Sequence, residues 1–116
     1  MKRRIVLAAM VIFVTADAEA QRKTTFSGAG TTSCGQYLQD RKTDSRFDYQ
    51  YTQWVSGYFS AYNFFSTYPQ IERQSAETVL AYLDKHCRDN PLHLVIQGVD
   101  AMVGELGGWS LQKQKQ

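Results

Sequence analysis

The sequence predicts an all-α domain, a small bundle of about four helices stapled by one disulfide. Three observations predict it. Apolar residues recur at spacings of three and four through residues 47–65, 79–87 and 92–106, as they do along the buried face of a helix. Ser or Asn precedes several of the helical stretches, where helices take their N-caps. The two cysteines, Cys34 and Cys87, flank the longest of these stretches.

The composition limits the classes of function. The chain has 116 residues, which suffice for one domain but not for a TIM barrel of about 250. Its net charge of +2 is too small for the basic surface of a nucleic-acid-binding protein. The aromatic fraction of 13% is the one unusual figure. We therefore expect a globular protein with no nucleic-acid partner, and the aromatic residues are the first place to look for function.

The N-terminus has the three parts of a secretory signal peptide. A basic start precedes the apolar run 5–14, and the small-residue cleavage site Ala18-Glu19-Ala20 follows it. The run is shorter than the ~20 residues that span a bilayer, so we expect no membrane span after cleavage. The alternative is an uncleaved anchor. The sequence thus predicts removal of residues 1–20 and export to the periplasm.

Export determines how the cysteines are interpreted. In an oxidising compartment, two lone cysteines predict a disulfide between Cys34 and Cys87. Closing so long a loop is expected to stabilise the fold by roughly 4 kcal/mol. That is a large share of the net stability of a domain this small.

Domain boundaries follow from composition. Residues 21–32 are rich in Ser, Thr and Gly and predict a flexible leader. The helical domain is expected over residues 33–108, and a polar tail over residues 109–116.

Two helices are predicted in the first half of the domain. Ser33 is expected to cap a short helix that ends near Asp40. A second, longer helix is expected over residues 47–67, before Pro69. Residues 47–52 also alternate as a strand would, but the helical stripe continues beyond them and favours the helix. The members of that stripe are Phe47, Tyr51, Trp54, Val55, Tyr58, Tyr62 and Phe65.

Two further helices are predicted in the second half. Ser75 is expected to cap a third helix, which carries Leu83 and Cys87 on its apolar face. Asn90-Pro91 predicts the start of a fourth helix, with Asn at the N-cap and Pro at the first helical position. This helix is expected to end near Leu106, before two glycines. Its apolar stripe comprises Leu92, Val95, Ile96, Val99, Met102, Val103 and Leu106.

Residues that could carry catalysis are sparse. Cys87 follows His86, but adjacent helical residues point about 100° apart, which disfavours a Cys–His nucleophile. His93 and Asp100 share a polar helix face two turns apart, with no nucleophile near them in sequence. A zinc site would have to use Cys34, His86, Cys87 and His93, whose spacing lacks a C-x-x-C element. We expect a non-enzymatic protein with no catalytic residues, no metal and no cofactor.

The second helix has more aromatic residues than its one apolar stripe contains. Phe59 and Phe64 fall on opposite flanks of it, and we expect them to contact a protein partner together with Tyr68 and the exposed Leu94. A mid-helix glycine costs about 1 kcal/mol relative to alanine, so Gly57 is expected where something approaches the backbone closely. The alternative is that the long helix is buried on both flanks.

A resemblance covers residues 33–106. Its motifs are Cys34, then Trp54-Val55-Ser56-Gly57-Tyr58, then Leu80, Leu83 and Cys87 followed by Asn90-Pro91 and Leu94. This layout resembles the Rap/Tai immunity proteins of type VI secretion, and it is similar to periplasmic acid-stress chaperones of the HdeA/HdeB kind. The resemblance implies a disulfide, core aromatics at Trp54 and Tyr58, and a helix start at Asn90-Pro91. It implies no catalytic residue.

The two families imply different functions. Immunity proteins bind a cognate toxin, often a cell-wall amidase, and block it in the periplasm. HdeA-like chaperones are homodimers that loosen in acid and hold unfolded clients. The low carboxylate content of the aromatic helix favours the immunity function. The chaperone, and an envelope-associated structural binding module, are the alternatives.

Overall fold

A computed structural model of the protein describes residues 25–111. Four α-helices and a disulfide between Cys34 and Cys87 confirm the predicted fold class. Within residues 25–111 the only extended pairing is an isolated bridge between Ser33 and Leu94. The predicted signal peptide lies outside the described residues, as do residues 21–24 and 112–116. The helices are α1 (Cys34–Thr43), α2 (Arg46–Phe65), α3 (Ala76–Asp89) and α4 (Val95–Glu105).

Short-range hydrogen bonds set most helix ends where the sequence predicts them. The Ser33 hydroxyl accepts the Gln36 N–H at the start of α1, and the Ser75 hydroxyl accepts the Thr78 N–H at the start of α3. After α4, Gly107 adopts a φ of 90°, which an L side chain rarely tolerates. This glycine closes a Schellman turn in which the Gly108 N–H reaches the Val103 carbonyl.

The predicted start of the fourth helix is wrong. Asn90 ends α3: its N–H and its side-chain amide both donate to the His86 carbonyl. Residues 91–94 form a turn, and α4 begins only at Val95. The backbone around Leu94 is held extended because the His93 carbonyl accepts from Cys34 and the Val95 N–H donates to Thr32. A tertiary pairing thus overrides the local helix-start signal, and it leaves Leu92, predicted to be apolar core, 95% exposed.

The second helix ends two residues earlier than predicted. Ser66 takes an extended backbone, and its hydroxyl accepts the Tyr68 N–H, which turns the chain away from the helix axis. The first turn of α2 is helical, so the strand alternative over residues 47–52 is wrong.

The core lies where α3 meets α1, α2 and α4. Leu83 and both cysteines are fully buried there, and the disulfide joins the first turn of α1 to the last turn of α3. Trp54 and Tyr58 are half-buried at the margin of this core and stack on each other with ring centroids 5.6 Å apart.

The segment preceding α1 is structured, contrary to the flexible leader predicted up to residue 32. A 3-10 turn over Ala29–Thr31 lies against Trp54, whose indole N–H donates to the Ser27 carbonyl at 2.9 Å. A Cβ at Gly30 would overlap the indole ring, so the close approach requires glycine. This segment is what keeps Trp54 half-buried.

One charged cluster ties three helices together. Arg41 of α1 donates from Nε and Nη2 to both carboxylate oxygens of Asp84 on α3, each at 2.9 Å, and from Nη1 to Asp48 on α2 at 2.7 Å. The buried Tyr37 hydroxyl donates to Asp84 at 2.8 Å. Burial alone would raise the pKa of Asp84, but the hydrogen bonds from Arg41 and Tyr37 outweigh it and hold that pKa below its ordinary value.

Breaking the disulfide is expected to cost the fold roughly 2–5 kcal/mol, because the bond restrains a long loop of the unfolded chain. Urea unfolding should show a lower midpoint for the reduced wild type and for the Cys34→Ser/Cys87→Ser variant. The reduced wild type has no serine hydroxyls at these positions, so a comparison of it with the variant shows any effect of the substitutions themselves. Equal midpoints for oxidised and reduced protein would contradict the prediction.

Acid is expected to remove the contribution of Asp84. Because the folded-state pKa lies below the unfolded value of about 4, the ion pair stabilises the fold fully above that value and loses its effect as pH falls through the lowered one. Asp84→Asn should therefore lose about 2 kcal/mol at pH 7 and show a flatter decline of stability between pH 4 and pH 2.

The matched control is Asp89→Asn, which removes an exposed pair with Lys85. An exposed pair contributes little to stability, so this variant should closely follow the wild-type profile of stability against pH. Identical pH profiles for Asp84→Asn and the wild type would refute the role of Asp84.

Candidate binding surface

The structure divides the aromatic residues of α2 between two environments. Phe59 follows Tyr51 and Val55 at helical spacing and is buried with them, only 7% exposed. Its predicted place on a partner-binding surface is therefore wrong. Phe65, predicted to lie in the apolar stripe, is exposed instead. The buried face of α2 is therefore centred on a different side of the helix from the one predicted. The side that carries Trp54 and Tyr58 is only half covered by the rest of the chain.

Four exposed aromatic side chains lie at the C-terminal end of α2 and in the segments that follow α2 and α4. Their exposed fractions are 82% for Phe64, 81% for Phe65, 51% for Tyr68 and 37% for Trp109. The Phe64 and Phe65 rings meet edge to face at 4.9 Å, and the Tyr68 and Trp109 rings lie 6.4 Å apart. A shallow cleft of about 350 Å³ opens between Phe65, Tyr68 and Trp109. We call these four residues the aromatic patch.

Asn63 holds the Tyr68 side of the patch in place. Its side-chain amide donates to the Ile71 carbonyl at 2.9 Å and its side-chain oxygen accepts the Ile71 N–H at 2.7 Å. This pair of bonds fastens the segment after α2 back onto the helix. Ile71 itself is buried, so the fastening has an apolar anchor. Nothing in the sequence pattern marks Asn63, since its partner is backbone rather than a side chain.

The Trp109 side of the aromatic patch is held in place because the backbone at residues 108–109 packs closely against neighbouring side chains. The Trp109 N–H donates to the Tyr62 hydroxyl at 2.8 Å. A Cβ at Gly108 would come within 3.0 Å of Val103, Tyr62 and Ile71, so only glycine lets the chain pass. Sequence analysis missed Trp109 because it assigned residues 109–116 to a polar tail, whereas Ser110 is buried.

The exposed face of α2 that leads to the patch carries no charge. The sequence has no Asp, Glu, Lys or Arg between Asp48 and Glu72. The outer face of a helix in a soluble protein ordinarily carries charged residues. Its exposed members, which we call the uncharged face, are Gln53, Ser56, Gly57, Ser60 and Ala61.

A groove of about 350 Å³ runs beside the uncharged face, between α2 and the segment leading into α3. Phe59 and Ile71 contribute apolar wall, and Ser60 and Arg73 line it with polar groups. Ser60 of the uncharged face lines this groove, and Phe64 of the aromatic patch lies one turn further along α2.

The remaining predicted site residues lie apart from the patch. A Cβ at Gly57 would meet no atom of residues 25–111 within 4 Å, so no other part of the described chain approaches its backbone closely. Leu94 is 39% exposed, but it precedes α4, whereas Trp109 follows that helix at its other end. Leu83 is core, and Asn90 and Pro91 belong to the α3–α4 turn.

The residues considered for catalysis and for zinc have other partners. The two cysteine sulfurs are bonded to each other, so neither is a thiolate. Asp100 accepts hydrogen bonds from Ser110 and Leu111. His86 Nε2 lies 3.0 Å from His93 Nδ1. Within residues 25–111, no cluster of three or more His, Cys, Asp or Glu residues is arranged to hold a metal.

Comparison with protein-family models, with curated proteins and with solved structures gives no significant match to this chain. The resemblance to the two periplasmic families therefore depends on the motifs quoted above. Among the described residues, none of the helices is both long enough and apolar enough to span a bilayer.

Removing patch side chains is expected to leave the fold intact. Phe64→Ser and Phe65→Ser should each change the free energy of unfolding by no more than about 0.5 kcal/mol, because both rings are exposed. The buried Phe59 is the matched comparison, and Phe59→Ala should cost roughly 3–5 kcal/mol. Urea unfolding measures all three, and equal losses at Phe64 and Phe59 would show that the patch is structural.

Proposed function

We propose that this chain is a non-enzymatic periplasmic binding protein that captures a protein toxin through the aromatic patch and the uncharged face. The observation that carries the proposal is the combination of four clustered exposed aromatics with an exposed helix face that has no charge. Protein interfaces are enriched in aromatic residues and depleted of Lys, Glu and Asp at their centres. Binding energy commonly concentrates in a few aromatic or Arg anchors.

The way the patch is built supports tight binding. Asn63 fixes the segment that carries Tyr68, and Tyr62 fixes the segment that carries Trp109. Side chains whose supporting backbone is already ordered lose less conformational entropy on binding. Tyr and Trp also combine a large apolar area with a polar group, which suits a surface that is wet before binding and buried after it.

Three features favour a toxin as the partner. The predicted signal peptide and the Cys34–Cys87 disulfide suit an exported protein. The motif layout resembles the Rap/Tai immunity proteins. A stapled domain that presents a preformed surface is suited to stoichiometric inhibition, which requires a long-lived 1:1 complex and no turnover.

An acid-activated chaperone is the second candidate, and the Arg41 cluster favours it. Asp84 and Asp48 both accept from Arg41, so protonation of these carboxylates would weaken the joint between α1, α2 and α3 together. The loosened fold would expose apolar core to unfolded clients. In this case the aromatic patch would be covered by a second copy of the chain at neutral pH.

The test is binding to a toxin, for which the product of the gene adjacent to that of this chain is the first candidate. Isothermal titration with the oxidised wild type should give a 1:1 complex. Phe64→Ser/Phe65→Ser should weaken it by at least 100-fold, because two anchors of roughly 2 kcal/mol or more are lost. Ser60→Glu should weaken it by placing a charge on the uncharged face. The double variant should also fail to protect cells from the toxin.

Two control variants change exposed residues elsewhere. Leu92→Ser removes an exposed apolar side chain from the α3–α4 turn, and Gln39→Glu adds a charge to α1. Both should bind like the wild type. Absence of a 1:1 complex, combined with suppression of client aggregation only at pH 2–3, would replace the immunity proposal with the chaperone.

A further inference from the structure

A pair of histidines joins the end of α3 to the turn before α4. His86 lies in the last turn of α3, and His93 lies one residue before the bridge formed by Leu94. Their facing ring nitrogens, Nε2 of His86 and Nδ1 of His93, are 3.0 Å apart. They are the only two histidines of the chain.

We propose that this pair is a binding site for a divalent transition metal, with Cu²⁺ the best fit. Imidazole nitrogens are common ligands of Cu²⁺, Ni²⁺ and Zn²⁺. Here two of them lie within hydrogen-bond distance of one another, so one ion could replace the shared proton.

The separation of the nitrogens indicates which geometry they suit. With metal–nitrogen bonds of about 2.0–2.1 Å, two nitrogens 3.0 Å apart subtend roughly 90° at the metal. An angle of roughly 90° is that of neighbouring ligands in the tetragonal coordination typical of Cu²⁺ and Ni²⁺.

Both rings are positioned by groups other than a metal. A Cβ on Gly98 of α4 would lie 2.9 Å from Cδ2 of His86, so that glycine makes room for the ring. The backbone of His93 is held at both ends, since its N–H donates to Asn90 and its carbonyl accepts from Cys34 of the disulfide. Two ligands placed in advance need little further ordering to chelate an ion.

The site can exchange ligands with solvent. Both histidines are half-buried, and a groove of about 230 Å³ opens beside His86. The same groove is lined by the carboxylates of Asp89 and Glu105 and by the ammonium of Lys85, which pairs with Asp89. Because the protein supplies two nitrogens, water would occupy the other coordination positions.

The tautomers that coordination requires are available to both rings. With protons on Nδ1 of His86 and Nε2 of His93, the facing nitrogens are both free to coordinate.

The test adds copper(II) chloride to the purified oxidised protein at pH 7. We expect one Cu²⁺ per chain, nitrogen hyperfine structure in the electron paramagnetic resonance spectrum and a rise in the melting temperature, because the ion binds only the folded arrangement. His93→Gln should lower the Cu²⁺ affinity by at least tenfold, since chelation is lost. Leu92→Ser changes an exposed residue of the same turn and should leave the affinity unchanged.

A measurement on the wild type removes any dependence on the folding of the variants. Paramagnetic broadening of amide resonances by Cu²⁺ should be strongest around residues 86 and 93. Broadening strongest at the N-terminal amine or at carboxylates far from this turn would overturn the proposal, as would an unchanged affinity in folded His93→Gln.

Discussion

The Cys34–Cys87 bond is the constraint around which the other contacts are arranged. It holds the first turn of α1 against the last turn of α3, with both sulfurs fully buried. At the same junction the Cys34 N–H donates to the His93 carbonyl, which draws the α3–α4 turn into register and delays the start of α4. The Arg41 guanidinium makes a second link between these helices, because this residue of α1 pairs with Asp84 of α3 and with Asp48 of α2. A domain this small has limited apolar core, so such staples carry a large share of its stability.

This framework leaves α2 free to present a surface. Its Tyr51–Val55–Phe59 row packs into the core, and the opposite face needs no further burial for the fold to hold. Selection for solubility alone would place charged residues on that face. The chain instead has none from residue 49 to residue 71, and exposed aromatics cluster at the C-terminal end of the helix. A binding function accounts for both features.

The sequence predicted those features of the fold that depend on interactions between residues close in sequence. Helical spacing located α2, α3 and α4, and Ser33 and Ser75 marked the starts of α1 and α3 through bonds to residues three positions later. Asn90-Pro91 misled because the backbone pairing of residues 32–34 with 93–95 acts over a distance that no local pattern records. Phe59 is buried and Phe65 is exposed, the reverse of what the sequence predicted. The face of α2 that is buried depends on which neighbouring segments cover the helix. Trp109 was missed because its position depends on a glycine and on the Tyr62 hydroxyl, 47 residues away.

The central claim is that the aromatic patch and the uncharged face are covered by a partner. Hydrogen–deuterium exchange of the protein with its proposed toxin partner bound, compared with the protein alone, tests it most directly. Coverage of this surface predicts slowed exchange in peptides spanning residues 56–71 and 107–111, and unchanged exchange in the turn over residues 90–94. Slowed exchange confined to that turn or to α1, with none at the patch, would contradict it.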